Sequence, residues 1–395
     1  MASISTGKLP PAAKAAPWND PNIRAIVFQL LVVGTVALLA WWLVSNTIEN
    51  LQRQKIASGF GFLGAEAGFD VGDTLIEYSA ANTYARAIWV GIINTLRVAL
   101  VGIVLATILG TMIGIGRLSK NWLVAKICSS YVELIRNIPV LLQLFVWIKL
   151  FQIYLPDWQS AFSIGNIFLS RKGLQYPMPV ADAAHQWIGI ALLVAVAAAF
   201  VVRRWARARQ ARTGLQFPSG WAGLGLIIGL PLLVWLALGA PLIWDIPKLG
   251  RFGYAGGAEL LPEFTALLLG LTIYTAAFIA EIVRAGILAV NKGQTEASSA
   301  LGLRSKFTMR LVILPQALRV IIPPMTSQYL NITKNSSLAI AIGYPDLVAM
   351  ANVTMNQTGQ AIEGIAIIMA AYLSVSLSIS AFMNWYNKRI ALVER

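Results

Sequence analysis

An apolar run such as Ile23–Ser45 leaves few folds open to a chain. A hydrocarbon layer ~30 Å thick is crossed by about 20 residues of helix, and a run beyond ~18 apolar residues marks a spanning segment. Seven further spans are expected near Ala87–Gly116, Leu123–Leu155, Gln186–Val202, Trp221–Ile243, Phe264–Val290, Gln316–Met350 and Ile362–Trp385. The chain is 57% hydrophobic and only 12% charged, against ~25% charged in soluble domains. The short alternating segments of a β-barrel are not found. The expected fold is an all-α polytopic membrane protein of about eight transmembrane helices.

Loop charge sets the expected orientation. Arg117 and Lys120 follow the second span, and Arg203, Arg204, Arg207, Arg209 and Arg212 end the fourth. Lys292, Arg304, Lys306, Arg310 and Arg319 lie in or beside the loop after the sixth, and Lys388, Arg389 and Arg395 follow the last. Basic residues concentrate on the cytoplasmic side. Eight spans put all these clusters and both termini there. The net charge of +14 is then a topology signal and not a nucleic-acid footprint. Residues 1–22 are expected to be a disordered cytoplasmic tail. The first span is retained, since Trp41-Trp42 stands where a signal peptide would have small residues. The division that follows is 23–86, first helix and external loop; 87–155, two helices; 156–260, an insert with two helices; and 261–395, three helices with a cytoplasmic loop at 291–315. Cys128 is the one cysteine, so no intrachain disulfide forms. His185, the one histidine, reads as interfacial, and neither metal-ligand spacing nor a catalytic triad is evident.

The loop at 291–315 carries the most specific pattern: Glu296-Ala297-Ser298, then Gly302, then Val312-Ile313-Leu314-Pro315. Residues 295–301 suit a short helix with Thr295 as N-cap and Glu296 in its first turn. Gly302 stands where a C-cap glycine takes a left-handed backbone. A second helix from Lys306 would run back toward the membrane. The pattern resembles the loop of ABC importer permeases, EAA, three residues, G, nine residues, I, one residue, LP. Glu296, Ala297, Gly302, Leu314 and Pro315 match, while Ser298 and Val312 depart from it.

Three further stretches extend the resemblance to polar amino acid ABC permeases: Tyr131-Val-Glu-Leu-Ile-Arg-Asn-Ile-Pro-Val-Leu-Leu-Gln143, Ala280-Glu-Ile-Val-Arg-Ala-Gly286 and Lys334-Asn-Ser-Ser-Leu338. That family has a five-helix core, matched here by all spans except the first, fourth and fifth. The N-terminal helix and the 156–260 insert depart from the minimal family and resemble the larger permease subunit of general L-amino acid uptake systems. The resemblance implies separate cytoplasmic ATP-binding subunits using ATP and Mg, a second permease subunit, an external amino-acid-binding protein and a bacterial inner membrane. The chain has no G-x-x-x-x-G-K-[ST] phosphate loop of its own, so it is not expected to be an enzyme. The competing readings are an ion-coupled secondary carrier, a permease for another small polar solute, and a scaffold that transports nothing.

Two Glu-x-x-Arg pairs, Glu133/Arg136 and Glu281/Arg284, share one helical face each. They suit either a gate or an interhelical packing pair. Pro139 is expected to kink the third span. In the seventh, Pro323-Pro324 and Lys334-Asn335-Ser336-Ser337 are expected to interrupt one discontinuous crossing. A half-helix from Leu338, capped by Asn335 or Ser336, would point free amides at a substrate carboxylate. Asn331, Lys334, Asn335 and Ser336 are the candidate path residues, with Lys334 alternatively neutralising Glu133 or Glu281. The polar run suits either a cavity lining or a short external loop.

Overall fold

The computed structural model describes residues 21–53, 58–180, 182–240, 243–251 and 253–390. The expected tail lies outside these apart from positions 21 and 22, where α1 (Pro21–Arg53) begins. Seven continuous helices are long and apolar enough to cross a membrane, and one bent pair brings the count to eight.

After α1 come α2 (Tyr84–Gly116), α3 (Trp122–Asn137) and α4 (Val140–Tyr154). The third span is not one kinked helix: α3 and α4 meet at 104°. Pro139 lacks an N–H and forces its predecessor out of the helical region, and Ile138 is extended at φ −100°, ψ 126°. Buried Gln143 repairs the elbow. Its Nε2 donates to the carbonyls of Ile135 at 3.0 Å and Ile138 at 2.9 Å, the first being the carbonyl that a residue-139 amide would have served.

The insert holds more than the expected two helices. The strands β1 (Phe162–Ile164), β2 (Ile167–Ser170), β3 (Gly173–Tyr176) and β4 (Met178–Pro179) precede α5 (Ala183–Thr213) and α6 (Ser219–Ala237). After α6 follow β5 (Trp244–Asp245), β6 (Lys248–Leu249), β7 (Tyr254–Ala255) and β8 (Ala258–Leu260). An antiparallel sheet in the order β1-β2-β3-β8 joins the two connections, with Leu174 opposite Leu260. The stretches expected as loops thus form one small β cap. Strands of two to four residues are too short for an alternating pattern to register.

The remaining elements are α7 (Pro262–Leu288), α8 (Lys292–Ala300), α9 (Ser305–Thr308), a π-turn (Met309–Ile313), α10 (Leu314–Asn335), a 3₁₀ turn (Ser336–Ile342), α11 (Leu347–Thr358) and α12 (Ala361–Ile390). The seventh span departs from expectation. Helix α10 passes through Pro323-Pro324, and Asn335 and Ser336 keep right-handed backbones. The break falls instead at Gly343, whose φ is +84°. No half-helix opens at Leu338. The next helix is α11, and its N-terminus is capped by Asp346, which accepts from the Ala349 amide at 2.9 Å.

Helix α7 is the centre of the bundle: 61% of its apolar window is buried, against none of α1's. Its neighbour α2 approaches almost backbone to backbone. A Cβ on Gly110 would lie 2.8 Å from the Ala276 carbonyl, and one on Gly114 would lie 2.7 Å from that of Ala280. Small residues on both sides allow this approach, which maximises dispersion where lipid removes any hydrophobic drive. In the N-terminal half of α2, Arg97 pairs with Asp73 at 3.0 Å and stacks 4.0 Å over Phe264. Asn94 donates to the carbonyls of Asp73 and Pro345, binding the 58–83 segment and the α10–α11 turn to α2.

Candidate coupling loop and translocation path

Helix α8 starts a turn earlier than the sequence suggests. Asn291 is the N-cap, accepting from Gly293 at 2.8 Å, and Thr295 lies inside the helix. Glu296 therefore sits in the second turn and not the first. The C-terminus is as expected: Gly302 has φ +73°. Its N–H donates to Ser299 at 2.9 Å, and that of Leu303 donates to Ser298 at 3.1 Å. This is the Schellman pairing, which satisfies the last carbonyls only with a left-handed residue between. Ser298 is buried, and its hydroxyl donates to the Gln294 carbonyl at 2.6 Å, so serine fits a site that suits alanine.

The return helix begins at Ser305, one residue before the expected Lys306. Pro315 would clash with the carbonyl of Leu311 in a regular helix. The wide turn at Met309–Ile313 relieves this, with the Leu314 amide reaching Met309. Glu296 and Ala297 are exposed, as are Leu301 at 80%, Phe307 and Leu311. The loop thus presents one acid beside apolar groups and the exposed bases Lys292, Arg304, Lys306 and Arg310. Gln316 donates to Gln294 at 3.3 Å, so a push on α8 reaches α10 directly.

The two expected Glu-x-x-Arg pairs behave differently. Glu281 gathers Arg284 at 3.2 Å, Arg136 at 3.8 Å and Arg117, its shortest contact. The sequence signals Arg117 only as loop charge. It ends α2, 164 residues away in sequence, and no local spacing signals the contact. Among the described residues Glu133 makes no ion pair; with Arg136, Asn137 and Phe278 it lines a cavity of about 330 Å³ beside Glu281. Arg136 also lies 5.1 Å over the Phe278 ring. One carboxylate therefore clamps α2, α3 and α7, and Lys334 is not among its cations.

The polar residues of α10 divide between two faces. Asn331 and Lys334 are exposed and Asn335 is half-buried. Ser336 is fully buried and donates to the Thr333 carbonyl at 2.6 Å. On the inner side Tyr329 pairs with Thr107 of α2 at 3.0 Å. The four candidate path residues do not share one surface.

Residues 102–392 match the family described as binding-protein-dependent transport system inner membrane component. The chain belongs to this family. It is 52% identical over 377 residues to the general L-amino acid transport system permease protein AapQ of Rhizobium johnstonii, covering 95% of this chain and 94% of that one. It is 49% identical to the putative amino-acid ABC transporter permease protein YhdX of Escherichia coli, over 96% of this chain and 97% of that one. The glutamate/glutamine/aspartate/asparagine transport system permease protein BztB of Rhodobacter capsulatus is 42% identical, over 95% and 96%.

As a binding-protein-dependent permease, the chain needs rigid elements that carry motion from one membrane face to the other. The Glu281 clamp joins three of them. Glu281→Gln leaves Arg117, Arg136 and Arg284 facing one another. We expect a loss of about 1–3 kcal/mol, because one partner of a half-buried charge group is removed. Thermal unfolding of the purified chain in detergent measures it. Adding Arg117→Gln should recover part of the loss; strictly additive losses would mean that the two groups are not coupled.

Proposed function

We propose that this permease is the membrane subunit of an ATP-driven amino acid importer, accepting a broad range of L-amino acids. The observation that carries the reading is the exposed α8–α9 loop, which bears the permease pattern on a Schellman turn and is tied to α10 through Gln294 and Gln316. The names of the relatives at 52% and 49% identity support the substrate class. This chain does no ATP chemistry itself. Separate ATP-binding subunits would hydrolyse ATP with Mg, a second permease subunit would complete the path, and an external binding protein would deliver the substrate. Glu296, Ala297, Gly302, Leu314 and Pro315 form the coupling surface. ATP binding below the membrane would move α8, and Gln316 would pass that movement to α10, alternating access.

The proposed path runs along the exposed face of α10, where Asn331, Lys334 and Asn335 meet the substrate. Ser336 is assigned to packing, since its hydroxyl is used within the helix. The path is cytoplasmic at the Glu281 end, in a bacterial inner membrane with both termini inside, supported by the basic loops.

Reconstitution in proteoliposomes tests the function: uptake should need the ATP-binding subunits and ATP, whereas uptake driven by an ion gradient alone would assign a secondary carrier. In that system Gly302→Val should abolish stimulation of ATP hydrolysis by loaded binding protein, because valine strains a left-handed position. Its membrane insertion should stay near wild type; intact coupling would refute the role of the turn. Lys334→Met should weaken uptake of acidic, neutral and basic amino acids alike by about ten- to a hundred-fold, the value of one charge-assisted hydrogen bond at ~1.5–3 kcal/mol. Wild-type uptake of all three classes at subsaturating concentration removes Lys334 from the path. For orientation, Ala208→Cys in a Cys128→Ser background should resist an impermeant thiol reagent applied outside intact cells. Strong labelling would reverse the topology.

A further inference from the structure

The α5–α6 hairpin stands apart from the transport core: the two helices pack along each other, and neither runs along a core helix. Among the described residues of this chain, therefore, no other helix shields the hairpin from lipid. Residues 183–237 contain no aspartate or glutamate and five arginines, all between positions 203 and 212. Among the described residues none of the five takes part in an ion pair.

The depth of these arginines follows from the packing. Gly223 of α6 lies level with Ala199 of α5, where an added Cβ would come 3.5 Å from the alanine methyl. Four residues before Gly223, α6 begins at Ser219, level with Arg203. Helix α5 runs on to Thr213, so at ~1.5 Å per residue it overshoots α6 by roughly 15 Å. The headgroup layer is about 5–7 Å deep on each side. Arg203, Arg204 and Arg207, all exposed, fall within that depth. The same end of the hairpin carries apolar groups suited to that layer: Trp221, two residues into α6, is 79% exposed, and Trp205 packs edge-on against Phe217 at 5.5 Å.

We propose that Arg203, Arg204 and Arg207 form a binding site for the phosphate of an anionic phospholipid. Guanidinium forks match phosphate oxygens, and the nearest anions to an isolated hairpin are those of its own bilayer. Trp221 and Trp205 at the same end of the hairpin favour a lipid over free phosphate, which would leave them in water. The site lies outside the coupling loop and the α10 path, so it stands or falls independently of the transport reading.

The test uses the full purified chain in detergent with equimolar phosphatidylglycerol and phosphatidylcholine, read by native mass spectrometry. The wild type should retain phosphatidylglycerol at least about tenfold over phosphatidylcholine, given three arginines near the charged layer. The preference should shrink in ~1 M salt, where the screening length is about 3 Å. Arg203→Gln/Arg204→Gln/Arg207→Gln should bring retention to parity, with Arg209 and Arg212 kept to preserve orientation. Parity in the wild type overturns the proposal, whether or not the variant inserts. So does a variant that keeps the preference, or displacement of the lipid by millimolar inorganic phosphate. A variant that loses association with the ATP-binding subunit while keeping its lipid preference assigns the arginines to a protein contact instead.

Discussion

In hydrocarbon no water replaces a lost backbone hydrogen bond, and each unsatisfied group costs several kcal/mol. The irregular places in this fold are those where that cost is met. At Pro139 the chain turns through 104°, and Gln143 donates to two carbonyls exposed by the turn. At Pro315 the helix widens for one turn, and Leu314 bonds five residues back. At Gly343 the chain reverses, and Asp346 caps the next helix. Each departure from regular helix is answered by a specific donor or acceptor, so the breaks are fixed in place. A rigid break transmits movement, whereas an unsatisfied one would fray.

Those fixed points connect the exposed loop to the core. Gln316 ties α10 to α8, while α10 packs along α7 and α12. Helix α7 meets α2 through Gly110 and Gly114 at near-backbone distance, and Glu281 adds α3 to the pair. A packed interface of this kind has few intermediate arrangements. Displacement of α8 is thus expected to shift these helices as a block, with the hairpin α5–α6, which packs along no core helix, left aside.

The sequence made the spans legible because membrane thickness converts directly into run length. The loop was legible because Gly302 and Pro315 are residues whose backbone limits dictate local shape. Helix α8 was placed late because Thr295 and Asn291 are both acceptable caps, and the choice depends on which residue meets the preceding helix end. The breaks are hard to place for a related reason. Prolines at 323 and 324 suggest an interruption, yet α10, packed against α7 and α12, continues through them; Gly343 gives a subtler signal and marks the turn. Arg117 was assigned to topology because the contact with Glu281 joins residues distant in sequence. The β cap escaped because its strands are two to four residues long, and the pairings β3-β8 and β4-β5 that close it join segments separated by two membrane crossings.

Exposure has two meanings along this chain. Helix α1 is exposed all round, yet between Ala25 and Ser45 it has no charged residue, so lipid covers it at no electrostatic cost. Helix α10 is exposed at Asn331 and Lys334, and Lys334 stands eight residues before the end of its span at Ile342. A lysine held against lipid near the centre of a membrane helix costs ~2.5–3.5 kcal/mol. Lengthening the side chain toward the headgroups lessens that cost, but does nothing for the Asn331 amide one turn deeper. The same surface carries a cation and an amide within a single turn, so water or a second polar surface is its natural cover. The proposed second permease subunit would supply both, and that is the physical reason to seek the substrate on α10 and lipid on α1.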